Sequence, residues 1–395
     1  MKLAFSIAIA TLFVLAPAAS ANLVDVAITA PAAPGAYIVG FHEMPDLTVG
    51  DSYNGAEITS TTPDLRFITV NVENFATFQA ASLLDENVRY IETDVSDHKL
   101  HFVPNDYYWS HSSNWAFNKI GAPTAWDKTL GTTAVKNGHV DSGLNKGHEE
   151  YAGQSRVLGG WDFYSGDNNP DDGRGCSWHG THTTGSAAAT INNGKGFPGM
   201  AQMQILPVKI FGGGGCLAAS VTNLANALKY VGDQGAHVSS NSWGGGSYST
   251  AINDAIIYSF NKGVIFVAAA GNSDCTNCIG NPWKPVADKV IIVTATDVND
   301  NGASFNSEGP EVDISAPGVD IGQSTSGTNG YHIMSGTSMA TPHVTGLVGL
   351  IKTLNPSYGY SQIDNRIKST AVDLGPAGHD STFGYGRINA AAAVY

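Results

Sequence analysis

Long apolar runs, separated by short polar stretches, dominate the chain from about residue 122 to its C-terminal end. Three runs are rich in β-branched residues and almost continuously apolar, at 205–210, 264–269 and 290–294. Such runs are typical of strands that are buried on both faces of a parallel sheet. The pattern therefore predicts a large parallel sheet in this part of the protein.

Two segments with helical periodicity, 220–231 and 250–261, alternate with these runs. Helices that connect parallel strands cover the two faces of a sheet, so this alternation predicts a three-layer α/β fold. About 290 residues are available for it, which is enough for one large hydrophobic core. We assign residues 101–395 to this domain.

A different pattern occupies residues 22–100. Runs rich in β-branched and aromatic residues lie at 36–40, 65–70 and 88–91, and helical periodicity covers 74–84. Strands and a helix mixed within so short a segment predict a small α+β domain. The stretch 97–100 has no strong pattern and is interpreted as a linker.

The first residues carry the three parts of a secretory signal. Lys2 gives the charged start, residues 3–15 form an apolar stretch, and Ala19-Ser20-Ala21 is a small-residue cleavage site. The apolar stretch is short for a membrane span, and no later run reaches about 20 apolar residues. We therefore predict that residues 1–21 direct secretion and that the mature protein is extracellular and does not enter a membrane.

Acidic residues outnumber basic residues by 34 to 20, which gives a net charge of −14. This balance disfavours binding to the phosphate backbone of nucleic acids. Repulsion between molecules of like charge also favours a soluble monomer. No nucleic-acid partner is therefore expected.

Four cysteines in a chain with a secretory signal favour disulfide bonds, with three possible connectivities. Cys275 and Cys278 are separated by two residues and favour a short local bridge. Cys176 and Cys216 then form the second bond. The alternative is a zinc site, whose ligands would be Cys275, Cys278, His179 and His182.

Three short motifs supply an acid, a base and a nucleophile in the order Asp, His, Ser. Asp141 lies in Val-Asp-Ser-Gly, His179 begins His-Gly-Thr-His, and Ser338 lies in Gly-Thr-Ser-Met-Ala-Thr-Pro-His. Peptide hydrolysis requires a histidine that takes the serine proton and a buried carboxylate that orients the imidazole. We assign Ser338 as nucleophile, His179 as general base and acid, and Asp141 as the orienting carboxylate.

The same chemistry requires donors for the oxyanion of the tetrahedral intermediate. Ser338 precedes an apolar helix that is predicted from Thr341, with Pro342 in its first turn, so its backbone N–H lies at a helix N-terminus. Asn272 follows the strand predicted at 264–269, and its side-chain amide is the candidate second donor.

These motifs resemble the subtilisin family of serine peptidases. His-Gly-Thr-His, Ala-Ala-Gly-Asn at Asn272 and Gly-Thr-Ser-Met-Ala-Thr-Pro-His-Val are similar to family signatures, and the similarity runs from about residue 122 to the C-terminus. The segment His148-Glu149-Glu150 is similar to the family's His-Pro-Asp. The resemblance implies a secreted endopeptidase that cleaves proteins and peptides through an acyl-enzyme.

The resemblance also implies a substrate groove. Segments 242–245 and 269–271 correspond to those that flank the main specificity pocket, and the first is expected to pair with the substrate backbone. Neither contains an acidic residue, which favours an apolar substrate residue before the cleaved bond. The residues assigned to substrate binding are Ser242, Trp243, Gly244, Ala270 and Gly271.

Residues 22–100 resemble the inhibitory propeptide of the family, a small domain of the ferredoxin-like kind. The similar segments are 37–41 and 88–94. The resemblance implies that this domain aids folding and that its tail occupies the groove until the enzyme cleaves itself. By analogy of spacing, we expect cleavage after Leu100.

Two loops resemble calcium sites of the family, the first of them a loop of the thermitase-like subtilases. Carboxylate and carbonyl oxygens suit Ca²⁺, whereas a solvated acidic loop is the alternative interpretation. Lys195 is an unusual neighbour for a cation in the second loop, 191–197. The candidate ligands are Asp162, Asp167, Asn169 and Asp171 in the first site, and Glu150 and Asn193 in the second.

One segment departs from the family pattern, which has an apolar strand before the catalytic aspartate. This chain has Lys136-Asn137-Gly138-His139 there, and such residues suit a central strand poorly. We expect either a partly exposed strand or a less firmly held Asp141. A catalytically silent binding protein is therefore a second hypothesis, and a narrow processing peptidase is a third, which the lack of acidic pocket residues disfavours.

Overall fold

The computed structural model describes residues 27–28, 33–94 and 102–395. They form two compact units, the first described up to residue 94 and the second from residue 102. The predicted signal segment 1–21, the linker 97–100 and the cleavage position after Leu100 lie outside the described residues. No helix within the described ranges combines the length and the apolar character that crossing a membrane requires.

The first unit is a six-stranded sheet with one α-helix in its described part, which confirms the predicted α+β composition. The strand order is β1-β6-β2-β5-β4-β3, and β1–β6 is its parallel pair. Phe75 and Phe78 of the helix pack on Tyr37. The ferredoxin-like order has a helix after its first strand, whereas a β3–β4 hairpin follows β2 here. The elements are β1 Ala27–Ile28, β2 Gly35–Phe41, β3 Ser52–Tyr53, β4 Ala56–Thr62, β5 Phe67–Val72, α1 Phe75–Ser82 and β6 Val88–Thr93.

The second unit alternates strands and helices along most of its length, as the sequence pattern predicts. Its elements in chain order are α2 Trp115–Lys119, α3 Ala122–Lys128, β7 Lys136–Asp141, β8 Trp161–Asp162, α4 His179–Ala188, β9 Gln204–Lys209, β10 Phe211–Gly212, β11 Leu217–Ala218, α5 Val221–Asp233, β12 Val238–Asn241, α6 Thr250–Asn261, β13 Ile265–Ala269, β14 Cys275–Thr276, β15 Val290–Thr296, β16 Ser307–Glu308, β17 Ile314–Pro317, β18 Ile321–Ser324, β19 Tyr331–Met334, α7 Thr337–Leu354, α8 Tyr360–Ser369 and α9 Ala390–Val394.

Seven parallel strands form the central sheet, in the order β17-β15-β13-β12-β7-β9-β8. The three predicted strands are present as β9, β13 and β15. Side chains alternate between the faces, so Ile265 and Val267 of β13 enter one core and Phe266 and Ala268 enter the other. The predicted three-layer α/β fold is therefore confirmed.

Helices cover both faces of this sheet. The predicted helices are present as α5 and α6, which pack together and contribute to the core on one face. Their first turns are capped, because the Ser220 and Ser249 hydroxyls accept hydrogen bonds from the N–H groups of Asn223 and Ile252. Helices α4 and α7 contribute to the core on the opposite face.

Strand β7 is central and buried, between β12 and β9. Asn137, Gly138 and His139 are all inaccessible to solvent, so the expectation of a partly exposed strand is wrong. A Cβ atom at Gly138 would lie 2.7 Å from Cγ1 of Val231 in α5, and glycine therefore allows this helix to approach. Asn137 and His139 lie on the opposite face, where Nε2 of His139 is 2.8 Å from the hydroxyl of Thr183 in α4.

All four cysteines form disulfide bonds. Cys176 pairs with Cys216, and Cys275 pairs with Cys278. The pairing that the sequence favours is therefore confirmed. The zinc alternative is wrong, because no thiolate remains among the described residues to bind a metal ion.

Candidate active site

The candidate catalytic side chains are positioned by the carboxyl ends of adjacent strands. Asp141 ends β7, Ser242 directly follows β12, and Asn272 follows β13. His179 and Ser338 lie at the N-terminal ends of α4 and α7, the helices on one face of the sheet. Functional groups gather at this edge of parallel sheets because the connecting loops open there.

Asp141 and His179 form a close pair. Oδ1 of Asp141 lies 2.7 Å from Nδ1 of His179, the carboxylate is 1% exposed and the imidazole is 31% exposed. Burial lowers the pKa of His179, but the charge and hydrogen bond of Asp141 outweigh burial and hold this pKa above its ordinary value. Burial likewise acts to raise the pKa of Asp141, and the His179 partner holds it below its usual range. The carboxylate is thus charged and oriented toward the ring.

The backbone before His179 is held in an uncommon conformation. Ser177 and Trp178 both have positive φ, 54° and 55°. Residues other than glycine rarely adopt this left-handed backbone conformation. The adjacent Cys176–Cys216 disulfide fixes the segment that precedes them. At the start of the helix, the N–H of Gly180 donates to Oγ of Ser142 at 2.8 Å. These contacts fix the position from which the His179 ring projects.

Helix α7 begins at Thr337, four residues earlier than the sequence predicts, and Ser338 is its second residue. Pro342 therefore lies inside the helix, where its missing N–H leaves the carbonyl of Ser338 without a helical partner. The hydroxyl of Ser242 donates to that carbonyl at 2.8 Å. This contact connects the candidate nucleophile to the segment that follows β12.

The hydroxyl of Ser338 donates to the carbonyl oxygen of Ser242 at 3.0 Å. Because a hydroxyl carries one proton, this hydrogen bond excludes simultaneous donation to His179. The structure thus brings Asp141 and His179 together, whereas Ser338 faces Ser242 beside them. The Ser338 hydroxyl must give up this hydrogen bond before it can donate to the ring, and catalytic hydrogen bonds often tighten only when substrate binds.

Asn272 is oriented by Thr337, a residue that the sequence analysis did not assign. Oδ1 of Asn272 accepts hydrogen bonds from the N–H and the hydroxyl of Thr337, both at 2.9 Å. The Thr337 hydroxyl in turn accepts from the N–H of Gly271 at 3.2 Å. With its oxygen so engaged, the side chain of Asn272 has its NH₂ group available for an oxyanion. The signal for this role in the sequence is a hydroxyl-bearing residue, Thr337, directly before the candidate nucleophile.

Ser338 and Asn272 line a cavity of about 290 Å³. All five residues assigned to substrate binding, 242–244 and 270–271, line it as well. Cys278, Trp283 and Ser307 also belong to its wall, and no spacing in the sequence pointed to them. No residue of this wall carries a charge.

A second cavity of about 330 Å³ adjoins the first, because Ser242 and Trp243 line both. Asp141 and His179 form part of its wall, and Phe211 and the Cys176–Cys216 disulfide form the apolar part. The two cavities together make a groove that passes both His179 and Ser338.

The first loop assigned to calcium does not bring its carboxylates together. Oδ1 of Asp162 accepts from the N–H groups of Tyr164 and Ser165, and Oδ1 of Asp167 accepts from that of Asn169. The amine of Lys209 lies 3.7 Å from Oδ2 of Asp162 and donates to the carbonyl of Asp171. Backbone donors and a lysine thus engage Asp162 and one carboxylate oxygen of Asp167. Within the described ranges, no three His, Cys, Asp or Glu side chains converge as a metal site.

The second loop assembles a more suitable set of oxygens. Glu150 is buried, and its carboxylate accepts from Nδ2 of Asn193 at 2.8 Å. The Tyr331 hydroxyl lies 2.8 Å from Oε1 of Glu149 and 3.1 Å from Oε1 of Glu150, and its one proton serves either oxygen. Asp106, which the sequence analysis missed, accepts the N–H of Asn192 on Oδ2, while its buried Oδ1 has no partner. The amine of Lys195 lies 3.4 Å from the carbonyl of Glu149 and is exposed.

Burial, with a smaller contribution from the charges of Asp106 and Glu149, raises the pKa of Glu150 to about 7. Burial raises the pKa of Asp106 to about 6. Buried carboxyl oxygens that lack counter-charge are the surroundings that a hard cation stabilises. These residues therefore fit Ca²⁺ better than the first loop does.

Comparisons with known proteins agree with this geometry. A sequence profile of the subtilase family matches residues 81–386. Thermitase of Thermoactinomyces vulgaris is 41% identical over 294 residues, which cover 74% of this chain and 99% of thermitase. Alkaline elastase YaB of a Bacillus strain is 33% identical, and the match covers 95% of this chain and 97% of the elastase.

Among solved structures, a protease from Pseudoalteromonas arctica matches with a TM-score of 0.65 and 28% identity, covering 74% of this chain and 99% of its own. Fold, site and relatives together define a serine endopeptidase. The chain belongs to the subtilase family.

Proposed function

We propose that this protein is a secreted endopeptidase that cleaves protein substrates through Asp141, His179 and Ser338. The observation that carries the proposal is the buried Asp141 carboxylate 2.7 Å from Nδ1 of His179, beside a serine at a helix N-terminus. The signal-like segment 1–21 supports secretion, although it lies outside the described residues.

In the proposed reaction, the Ser338 hydroxyl turns from the Ser242 carbonyl toward His179. Oγ attacks the substrate carbonyl carbon while Nε2 of His179 takes the hydroxyl proton, and Asp141 stabilises the resulting imidazolium. The oxyanion accepts hydrogen bonds from Nδ2 of Asn272 and from the N–H of Ser338, which has no partner at the helix start. His179 then protonates the leaving amine, and water, activated in the same way, hydrolyses the acyl-enzyme.

The uncharged cavity supports a preference for an apolar residue before the cleaved bond. Trp283 forms part of its wall and donates from Nε1 to the carbonyl of Trp243 at 2.7 Å, which stiffens one side of the pocket. Peptide p-nitroanilides that differ only at this position are the direct test. We expect kcat/KM to be higher for Phe and Leu than for Lys and Glu by at least tenfold. Equal values for the four substrates would contradict the assigned pocket.

Residues 22–100 are proposed to be an inhibitory propeptide that is removed after Leu100. The α+β composition of the unit supports this role, as does the match to alkaline elastase YaB, which extends over nearly the whole chain. N-terminal sequencing of the protein after secretion tests the site. A mature protein that begins at His101 supports it, whereas a start far from this position contradicts it.

Structural Ca²⁺ is proposed at the second loop, with Glu150, Asn193 and Asp106 among its ligands. The unpartnered buried oxygen of Asp106 and the raised pKa of Glu150 support this assignment. When bound, the cation would supply counter-charge to these carboxylates and would stabilise the fold by mass action.

A catalytically silent binding protein is the second candidate, and the hydrogen bond of Ser338 to Ser242 favours it. Casein hydrolysis by the wild type and by Ser338→Ala separates the two. Hydrolysis by the wild type alone supports the endopeptidase, equal turnover excludes Ser338 as nucleophile, and no turnover by either protein favours the binder. Labelling with a serine-directed phosphonate and mapping of the modified peptide identifies the nucleophile independently.

A further inference from the structure

A buried chain of polar side chains lies behind Asp141, and the mechanism described above does not use it. Asn137, His139 and Asp141 are every second residue of β7 and therefore share one face of the strand. Thr183 of α4 faces them. All four side chains are almost inaccessible to solvent. The subtilisin family resemblance leads to the expectation of an apolar strand here, so this arrangement requires an explanation of its own.

The contacts form one continuous path. Nδ2 of Asn137 lies 3.3 Å from Nδ1 of His139, and Nε2 of His139 lies 2.8 Å from the Thr183 hydroxyl. That hydroxyl lies 3.3 Å from Oδ2 of Asp141. The other carboxylate oxygen, Oδ1, already accepts from His179 and from the N–H of Ser142, both at 2.7 Å. Thr183 is therefore the side chain that holds the second oxygen.

The orientation of the Asn137 amide, with Nδ2 toward the ring, sets the direction of the protons along this path. An amide NH₂ group can only donate, so Nδ1 of His139 must accept from Asn137. Burial lowers the pKa of His139 to about 4, and the ring is therefore neutral at the pH of catalysis, with its proton on Nε2. This proton is donated to Thr183, which leaves the hydroxyl proton of Thr183 free for an acceptor of its own.

Three acceptors are within reach of that proton. The carbonyl oxygens of His179 and Gly180 lie 3.1 and 3.2 Å from the Thr183 hydroxyl, and Oδ2 of Asp141 lies at 3.3 Å. Asp141 is the charged acceptor, and hydrogen bonds to ionised groups are about twice as strong as neutral ones. The nearly equal distances therefore favour donation to the carboxylate.

We propose that Thr183 and His139 are positioning residues, which hold the plane of the Asp141 carboxylate through its second oxygen and so set the orientation of the His179 ring. The proposal rests on the proposed catalytic function of Asp141 and His179. It also accounts for the two polar residues in the strand, since Asn137 donates to His139, His139 donates to Thr183, and Thr183 donates to the catalytic carboxylate. Oδ1 of Asn137 remains buried without a partner.

The test compares Thr183→Val, which has the same shape but no hydroxyl, with Thr183→Ser, which keeps the hydroxyl. Rates are measured on an apolar peptide p-nitroanilide and divided by the concentration of active sites from phosphonate titration. We expect Thr183→Val to lower kcat by threefold or more with KM unchanged, and Thr183→Ser to retain kcat within twofold. A residue that only supports packing would change the active fraction and the Tm, and would leave kcat for each titrated site unchanged.

A double-mutant comparison tests whether His139 acts through Thr183. His139→Val is expected to lower kcat in the wild-type background and to have no further effect beside Thr183→Val, because the path is then already broken. Equal losses in the two backgrounds would overturn the role of His139. If Thr183→Val lowers kcat by less than threefold, or Thr183→Ser loses as much, the role of Thr183 is overturned.

These outcomes are distinct from failure of the proposed function. If the wild type hydrolyses the peptide and is labelled at Ser338, the catalytic assignment holds whatever the Thr183 variants show. The Thr183 pair does not depend on the folding of His139→Val, so the proposal can still be overturned if that variant does not fold.

Discussion

The side-chain oxygen of Asn272 accepts two hydrogen bonds from Thr337, from its N–H and from its hydroxyl, both at 2.9 Å. The amide NH₂ group is therefore available for the oxyanion. We predict that Asn272→Leu lowers kcat by about 10²–10³, the range that follows removal of the corresponding donor from subtilisin, with little change in KM. Steady-state kinetics on a p-nitroanilide substrate check this. An unchanged kcat would exclude Asn272 from the oxyanion hole.

Thr337→Val removes one of these two hydrogen bonds and leaves the backbone N–H in place. Because the amide is then held by a single contact, we predict a smaller loss in kcat, on the order of tenfold. Thr337→Ser retains the hydroxyl and serves as the matched control, with kcat close to that of the wild type. Equal losses for Val and Ser would contradict this, because they would show that the hydroxyl alone does not account for the effect.

The two disulfides are expected to contribute unequally to stability, because they close loops of very different length. Cys176 and Cys216 are 40 residues apart, whereas Cys275 and Cys278 are 3 apart. Loop-closure entropy predicts about 4 kcal/mol for the first bond and about 2 kcal/mol for the second. Paired Cys→Ser variants in an inactive Ser338→Ala background, unfolded in urea, check the order. A larger loss for the 275–278 pair would contradict it.

Chelation with EDTA is expected to lower the Tm, and the response is expected to depend on Glu150. At a Ca²⁺ concentration about 100-fold above Kd, binding contributes about 2.7 kcal/mol. We predict that Glu150→Gln abolishes most of the difference in Tm between Ca²⁺ and EDTA, because it removes the charge that binds the cation.

Asp162→Asn and Asp254→Asn are the controls for this measurement. Asp162 already has backbone donors and Lys209 as partners, and Asp254 is an exposed residue of α6. Both variants are expected to respond to EDTA as the wild type does. If Asp162→Asn removes the response and Glu150→Gln does not, calcium binds at the first loop.

His343 is expected to make stability depend on pH. It is buried in α7 against Phe117, and burial lowers its pKa to about 4, whereas an unfolded histidine titrates near 6.5. Between these values the unfolded chain binds the proton and the folded protein does not. Stability relative to a variant without this histidine therefore falls as the pH decreases from about 6.5 to about 4, by about 3 kcal/mol in total.

Urea unfolding of Ser338→Ala with and without His343→Leu, at several pH values and constant Ca²⁺, isolates this contribution. In the difference between the two free energies of unfolding, the contributions of other groups that titrate in the same pH range cancel. A difference in the free energy of unfolding that does not change between pH 6.5 and pH 4 would contradict the lowered pKa.

Apolar periodicity predicts the strands and helices whose own apolar side chains fill the core. Strands β9, β13 and β15 and helices α5 and α6 lie within a few residues of their predicted positions. The start of α7 was predicted four residues late, because Pro342 suggested a first turn. Pro342 is tolerated inside the helix because the Ser242 hydroxyl donates to the carbonyl of Ser338, a residue 96 positions away from Ser242. The pattern of neighbouring residues in the sequence gives no information about such a distant contact.

The same limit applies to strand β7 and to the metal loops. The polar residues of β7 argue against burial until Thr183 is seen to face them. Asp106 joins Glu150 and Asn193 only through the fold, and Lys209 reaches Asp162 from β9. Sequence motifs identified the chemical groups of the candidate site, whereas their partners came from elements that are distant along the chain.

The order of the strands in the sheet has a consequence for synthesis. Asn137 of β7 pairs with Val238 of β12, a residue that leaves the ribosome about a hundred positions later, and Ser338 emerges another hundred positions after that. Contacts of this range form slowly and only after their partners exist. A nascent chain therefore carries the proposed acid and base long before the proposed nucleophile, and we expect no proteolytic activity from a translation product that ends before Ser338.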